Sequence, residues 1–168
     1  MDVDVAFLES IPVFGGLTTE AILLVAARME RRTLGPDKVV VNAGDSAREM
    51  FIIEDGEVEV MLGRTEPLSD VVLATLRKGD CFGEMALLDI QPRSATVRTR
   101  TAASLLVLPY RKFHLLAREE GNLFTMLILN LSREVSRRLR EAHRLLLELA
   151  LERHDLPTQR IFGSPRPE

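Results

Sequence analysis

The chain has 168 residues, 46% of them apolar and 28% charged, with a formal net charge of -3. That balance excludes a disordered chain and leaves no global field to draw it to nucleic acid or acidic lipid. A single cysteine, Cys81, excludes an intramolecular disulfide and a cysteine-held cluster. The Met1-Asp-Val-Asp start lacks the basic and apolar regions of a secretory signal. No apolar run reaches the ~18 residues of a membrane span, so a soluble cytoplasmic protein is expected.

Residues 6 to 31 carry helical spacing. Pro12-Val-Phe-Gly-Gly16 makes a turn, and Leu17-Thr-Thr-Glu20 starts a helix with Thr18 or Thr19 as its cap. From 32 to 109 the pattern changes to short β-branched runs: Val39–Val41, Met50–Ile53, Val58–Leu62, Val71–Leu76, Ala95–Thr99 and Ser104–Leu108. Gly44-Asp45, Asp55-Gly56 and Gly79-Asp80 punctuate them, and Asp55-Gly56 between two strand-like runs predicts a hairpin. Strands this short and this regularly spaced predict a mainly β fold, an antiparallel roll of jelly-roll type with flanking helices.

After Pro109 the helical pattern returns. A short helix is expected over 110–119, a break at Gly121-Asn122, and a long helix from about Leu123 to about Arg153. Phe124, Ile128, Leu131, Val135, Arg138, Ala142, Leu145 and Leu149 alternate spacings of four and three, a heptad seam. A helix lying on the roll would share this pattern. One this long overhangs so small a roll, however, which predicts pairing with a second copy in a homodimer. The division expected is a roll domain over 1–120, a dimerisation helix over 121–154, and a loose tail over 155–168 with Pro157, Pro165 and Pro167.

The segment richest in chemistry is Phe82-Gly-Glu-Met-Ala-Leu-Leu-Asp-Ile-Gln-Pro-Arg-Ser-Ala-Thr-Val97. Gly83 lets a ligand approach the backbone, and Glu84–Leu88 can form one helical turn with its N–H groups outward, left open by small Ala86. Arg93 can fork onto phosphate oxygens, Ser94 adds a hydroxyl, and Glu84 suits a ribose hydroxyl better than a phosphate. An exposed Glu84–Arg93 ion pair is the plainer alternative.

Phe82–Leu88 followed by Pro92-Arg-Ser-Ala-Thr-Val97 resembles the phosphate-binding cassette of the cyclic nucleotide-binding domain family. The Ile53-Glu-Asp-Gly-Glu-Val-Glu-Val60 and Lys78-Gly-Asp-Cys-Phe-Gly-Glu84 segments fit that family, as does Pro12-Val-Phe-Gly-Gly-Leu17. The resemblance implies a roll over about 6–120 and, from the bacterial activators, a dimer helix. It implies a site lined by Phe82, Gly83, Glu84, Met85, Ala86, Leu87, Arg93, Ser94 and Ala95. Glu84 would bind the ribose 2'-hydroxyl, and Arg93 with Ser94 the cyclic phosphate, while Val71 and Val72 would wall the base. The Thr-Ser pair with which the bacterial activators reach adenine becomes Ala142-His143, of which only His143 can hydrogen-bond through its side chain. Ser94 is compatible with cGMP; family habit points to cAMP. The function expected is a cyclic nucleotide sensor that moves its helices on binding. The alternatives are a regulatory fragment acting through a protein effector or a missing domain, and a dimerisation module that binds no nucleotide.

Other chemistry is not expected. A metal-holding roll needs histidines inside it, and His114, His143 and His154 all follow the last strand. Cys81, in an apolar run, reads as a buried inert thiol rather than a haem ligand. Arg133, Arg137, Arg138, Arg140 and Arg144 read as a solvated helix face, and the thirteen residues after Asp155 are too few for a helix-turn-helix, so direct DNA binding is not expected. No nucleophile–base pair or metal cluster points to an enzyme, and no cofactor beyond the nucleotide ligand is expected.

Overall fold

The computed structural model describes residues 3–62, 71–89 and 91–153, and of Ala86 and residues 150–153 the backbone alone. Two short helices, α1 (Val5–Glu9) and α2 (Thr19–Ala26), flank a 3-10 turn at Pro12–Phe14. Asp4 caps α1 and Thr18 caps α2, its hydroxyl accepting from the Ala21 N–H at 3.3 Å. Among the described residues eight strands follow: β1 (Glu30–Leu34), β2 (Val39–Val41), β3 (Glu49–Asp55), β4 (Glu57–Met61), β5 (Val72–Arg77), β6 (Cys81–Phe82), β7 (Thr96–Thr99) and β8 (Ala103–Pro109). A four-residue helix, α3 (Met85–Leu88), lies between β6 and β7, and α4 (Tyr110–Glu119) and α5 (Gly121–Arg153) end the described chain.

The strands form two four-stranded sheets, ordered β1-β8-β3-β6 and β2-β7-β4-β5, with antiparallel pairing throughout. The expected roll is present. The expected Asp55-Gly56 hairpin is not, because β3 and β4 lie in different sheets. Gly56, at φ +85°, passes so close to the Ala102 carbonyl and Ala103 that a Cβ there would collide with them. Its lack of a side chain turns a corner from one sheet to the other instead of closing a ladder.

Alternation in β3 divides the core in two. Met50 and Ile52 join Leu106, Leu108 and Cys81 in a cluster with Leu8, Ile22, Val25, Phe113 and Leu116 of the helices. Phe51 and Ile53 join Val58, Phe82, Val97, Leu105 and Val107 in a second cluster, between the sheets. The first sheet is therefore buried on both faces, which is why β3 reads as a continuous apolar run.

The chain divides into two compact units within α5, between Ser132 and Arg133. In the first, Leu123, Leu127 and Leu131 of α5 belong to the helix-side core, with Phe124 and Ile128 of the expected seam partly buried against it. Buried Asn130 donates through Nδ2 to the carbonyls of Val13 (3.1 Å) and Gly15 (2.8 Å). In the second, Arg137 and Arg138 clasp Glu134, Arg144 pairs with Glu141 and Glu148, and Leu139, Leu145, Leu146, Leu147 and Leu149 are exposed. His154 and the tail 155–168 lie outside the described residues. Among the described residues no helix is long and apolar enough to cross a membrane.

Candidate nucleotide-binding site

The site begins where β6 ends. Phe82 is buried and stacks on Phe51 at 4.8 Å between ring centroids, 10° from parallel, which fixes the start of the cassette on the roll interior. Gly83 follows at φ +72°, a left-handed conformation that glycine adopts without strain. A Cβ at Gly83 would collide with Nη1 of Arg93 and lie 3.0 Å from the Glu49 carbonyl oxygen. Gly83 and Arg93 are thus neighbours in space, as the expected cassette requires. Glu84 is 5% exposed and opens α3; Leu87 is buried, while Met85 faces solvent. Of Ala86 only the backbone is described, as part of α3.

Arg93 returns to this point on a doubly tied loop. Its N–H donates to the Asp45 carbonyl (2.9 Å) and its carbonyl accepts from Gly44 N–H (2.8 Å). Gly44, at φ +84°, serves the tight turn that brings the 44–45 backbone alongside. The Arg93 side chain is only 9% exposed. Nη2 donates to the Glu49 carbonyl at 2.8 Å, and the guanidinium carbon lies 5.5 Å from the Phe51 ring centroid, a cation–π distance. Nε and Nη1 are buried and have no hydrogen-bond partner among the described residues. Burial pulls the Arg93 pKa down, opposed by the carboxylates of Glu49, Asp45 and Glu84. Arginine stays charged through such a shift, so the roll holds a cation with donors to spare.

Ser94 is exposed immediately beyond it, and Ala95 is partly buried at the approach to β7. Val72 opens β5 opposite Met61, while Val71 precedes the strand and accepts through its carbonyl from the Leu62 N–H. Both are exposed, and Val72 starts an edge strand. Ala74 pairs with Val60 and Leu76 with Val58, and a register shift between Val60 and Met61 breaks the alternation before Val72 is reached. His143 belongs to α5 in the second unit, and the cassette residues belong to the first. Cys81 is buried and outside any disulfide, and His114 is half-buried among the rings of Tyr110, Phe113 and Phe124. No cluster of potential metal ligands occurs among the described residues.

Sequence reasoning missed the contribution of β3. Glu49 supplies the carbonyl and Phe51 the ring that hold Arg93, and the adjacent Arg48 carbonyl accepts from the Tyr110 N–H (2.8 Å) at the start of α4. Beside this junction is a cleft of about 430 Å³ lined by Ser46–Glu49 and Pro109–Arg111. Only the alternation of β3 could have placed Glu49 and Phe51 on the interior face, and a backbone acceptor leaves no signal in a sequence.

Residues 31–120 match the model of the cyclic nucleotide-binding domain. The chain belongs to the cyclic nucleotide-binding domain family. Among solved structures, the catabolite activator protein of Thermus thermophilus is 32% identical, with a TM-score of 0.72 over 84% of this chain and 64% of that one. The potassium channel AKT2/3 of Arabidopsis thaliana is 35% identical over 99 residues, 59% of this chain and 12% of the channel. The cAMP-dependent protein kinase regulatory subunit of Hypocrea atroviridis is 33% identical over 91 residues, 54% of this chain and 18% of the subunit. The chain therefore spans less than a fifth of either of these two relatives.

Proposed function

We propose that the Phe82–Ala95 segment binds a 3',5'-cyclic nucleotide, with cAMP the preferred ligand, and that this chain is a non-catalytic cytoplasmic sensor. The observation that carries this assignment is Arg93: a buried guanidinium, fixed by Glu49 and Phe51, with two nitrogens unpartnered among the described residues, beside a glycine that admits close approach. A buried cation of this kind is stabilised by an anion that accepts from it, and a singly charged cyclic phosphate suits one arginine. Glu84 takes the ribose hydroxyl, the backbone amides around Gly83 and Ala86 assist at the phosphate, and Val72 with Val71 walls the base. The preference for cAMP rests on relatives such as the fungal kinase regulatory subunit, whose name carries it; Ser94, exposed next to Arg93, leaves cGMP as the second ligand.

The output is conformational. The successive carbonyls of Glu49, at the start of β3, and Arg48, just before it, hold Arg93 and the first N–H of α4, so a shift of Arg93 toward phosphate is felt at Tyr110. For this to act as a switch the ligand must bind one arrangement better than the other. The exposed leucines of the second unit suit a second copy of the chain, giving a homodimer, and the read-out falls to a protein effector or to a further domain rather than to direct DNA contact.

Calorimetric titration of cAMP and cGMP into the wild-type protein and Arg93→Ala tests the assignment. The expected result is tighter binding of cAMP and a loss of about 2–5 kcal/mol of binding free energy in the variant. Wild-type affinity in Arg93→Ala would remove Arg93 from the site. Sedimentation with and without nucleotide tests the dimer.

A further inference from the structure

Arg93 faces an electrostatic difficulty. Glu49, Asp45 and Glu84 all lie near enough to act on its charge, with Glu49 the strongest of the three. A carboxylate free to settle on the guanidinium would compete with an incoming phosphate for the same donors. The Glu49 carboxylate is engaged elsewhere. Arg32, on β1, donates to it through Nη2 at 3.1 Å and Nη1 at 3.4 Å, while Glu49 accepts from Arg93 through its backbone carbonyl. The geometry brings the three residues to one place. Arg32 pairs across β1 with Leu105, Glu49 begins β3, and the guanidinium carbons of Arg32 and Arg93 each lie 5.5 Å from the centroid of the Phe51 ring. Two guanidiniums thus share one ring, and the carboxylate between them is bonded to the one outside the cassette.

We infer that Arg32 is a positioning residue for nucleotide binding: by holding the Glu49 carboxylate it keeps the Arg93 guanidinium available to the phosphate. The inference rests on the assignment of Arg93 to the phosphate. It assigns to β1, outside the cassette, a residue that sets affinity without touching the ligand. The Arg32 and Glu49 side chains are 38% and 32% exposed. Such a pair contributes little to stability, so its removal should not unfold the domain. A carboxylate at this range acts on a buried cation more strongly than on an exposed one, because the surrounding dielectric is lower.

The test is calorimetric titration of cAMP, and of cGMP in parallel, into wild type, Arg93→Ala, Arg32→Met, Glu49→Gln and the double variant Arg32→Met/Glu49→Gln. Melting temperatures of all five confirm that each is folded. Arg32→Met keeps an unbranched apolar stem and removes the guanidinium, with its hydrogen bonds to Glu49 and its place over the Phe51 ring. The expected result is an affinity roughly threefold to tenfold weaker in Arg32→Met, restored to within about twofold of wild type in the double variant. Glu49→Gln alone keeps the backbone carbonyl that holds Arg93 and removes the competing carboxylate, so it should bind about twofold to fivefold more tightly than wild type. A loss in Arg32→Met that Glu49→Gln fails to restore, or no loss at all, overturns the inference while Arg93→Ala still fails to bind. Unchanged binding in Arg93→Ala instead overturns the phosphate assignment itself. If Arg32→Met melts much lower than wild type, Arg32→Gln replaces it, and rescue by Glu49→Gln again decides between charge masking and support of the fold.

Discussion

The two faces of the first sheet use the same strand for different ends. On the helix side, Met50 and Ile52 of β3 are buried in an apolar cluster with residues of the helices, and the face is closed. On the interior side, Phe51 and Ile53 start from an equally apolar cluster, but the row ends at Glu49 among Arg32, Arg93 and Gly83. One face stores stability; the other uses that stability to hold a cation away from water. Binding chemistry here lies at the end of a packed row, one residue out of phase with the residues that hold the fold.

Substitutions on the two faces should therefore separate stability from affinity. The largest effect on the fold is expected from Ile52→Ala, which opens a cavity in the closed face and should cost about 2–4 kcal/mol in urea denaturation. Its nucleotide affinity, measured where the variant is folded, should stay near that of wild type; a large loss of affinity would show that the two faces are not independent. Gly83→Ala should remove binding as well as some stability. The added Cβ meets Arg93 and a left-handed backbone, so stability should fall by about 1–3 kcal/mol while nucleotide binding is lost.

Two smaller effects bound the comparison away from the site. Thr18→Ala removes the cap of α2 and should cost about 1 kcal/mol, with no change in nucleotide titration. Glu54 accepts from Nε and Nη2 of Arg31 (2.7 and 2.6 Å) and from the Ser104 hydroxyl (2.7 Å). The Arg31 hydrogen bonds hold its pKa below the ordinary carboxylate value, against the opposing effect of burial, with Ser104 and the charges of Arg31 and Lys78 assisting. Because the folded pKa is the lower one, the pair's stabilisation is complete above the ordinary carboxylate range and is lost as pH falls through the lowered value. Wild type should lose more stability than Glu54→Gln between about pH 5 and pH 3. Parallel slopes in chemical denaturation would show that the pair contributes nothing.

Much of the molecule was legible in the sequence because its rules are local. Six of the strands announce themselves as β-branched runs, Thr18 as a cap, and Phe82–Val97 as a phosphate turn. β1 went unread because its period of two is written in charged and polar residues: Glu30-Arg-Arg-Thr-Leu34 sits at a sheet edge, where Arg31 and Arg32 point to carboxylates rather than to a core. β6 is two residues long and carries no period. At Asp55-Gly56 the local signal for a turn was right, but the partner strand was wrong, since pairing is decided by how the sheets stack around Ala102 and Ala103. Within the site, Gly83 and Arg93 were foreseen as neighbours. The residues that hold Arg93 were not, because their part is played by a carbonyl and a ring whose direction depends on the whole sheet.

The pairing of β1 with β8 also governs how the protein is made. The first strand of the roll hydrogen-bonds to the last, from Glu30 opposite Val107 to Leu34 opposite Ala103. A ribosome emitting this chain must deliver nearly the whole roll before its first strand finds a partner, and until then the apolar row of β3 lacks its β8 neighbour. Loop closure on that scale is slow and leaves sheet edges open to other chains. Refolding should thus be slower than for a helical domain of this size, with aggregation during expression tracking any substitution that weakens β8.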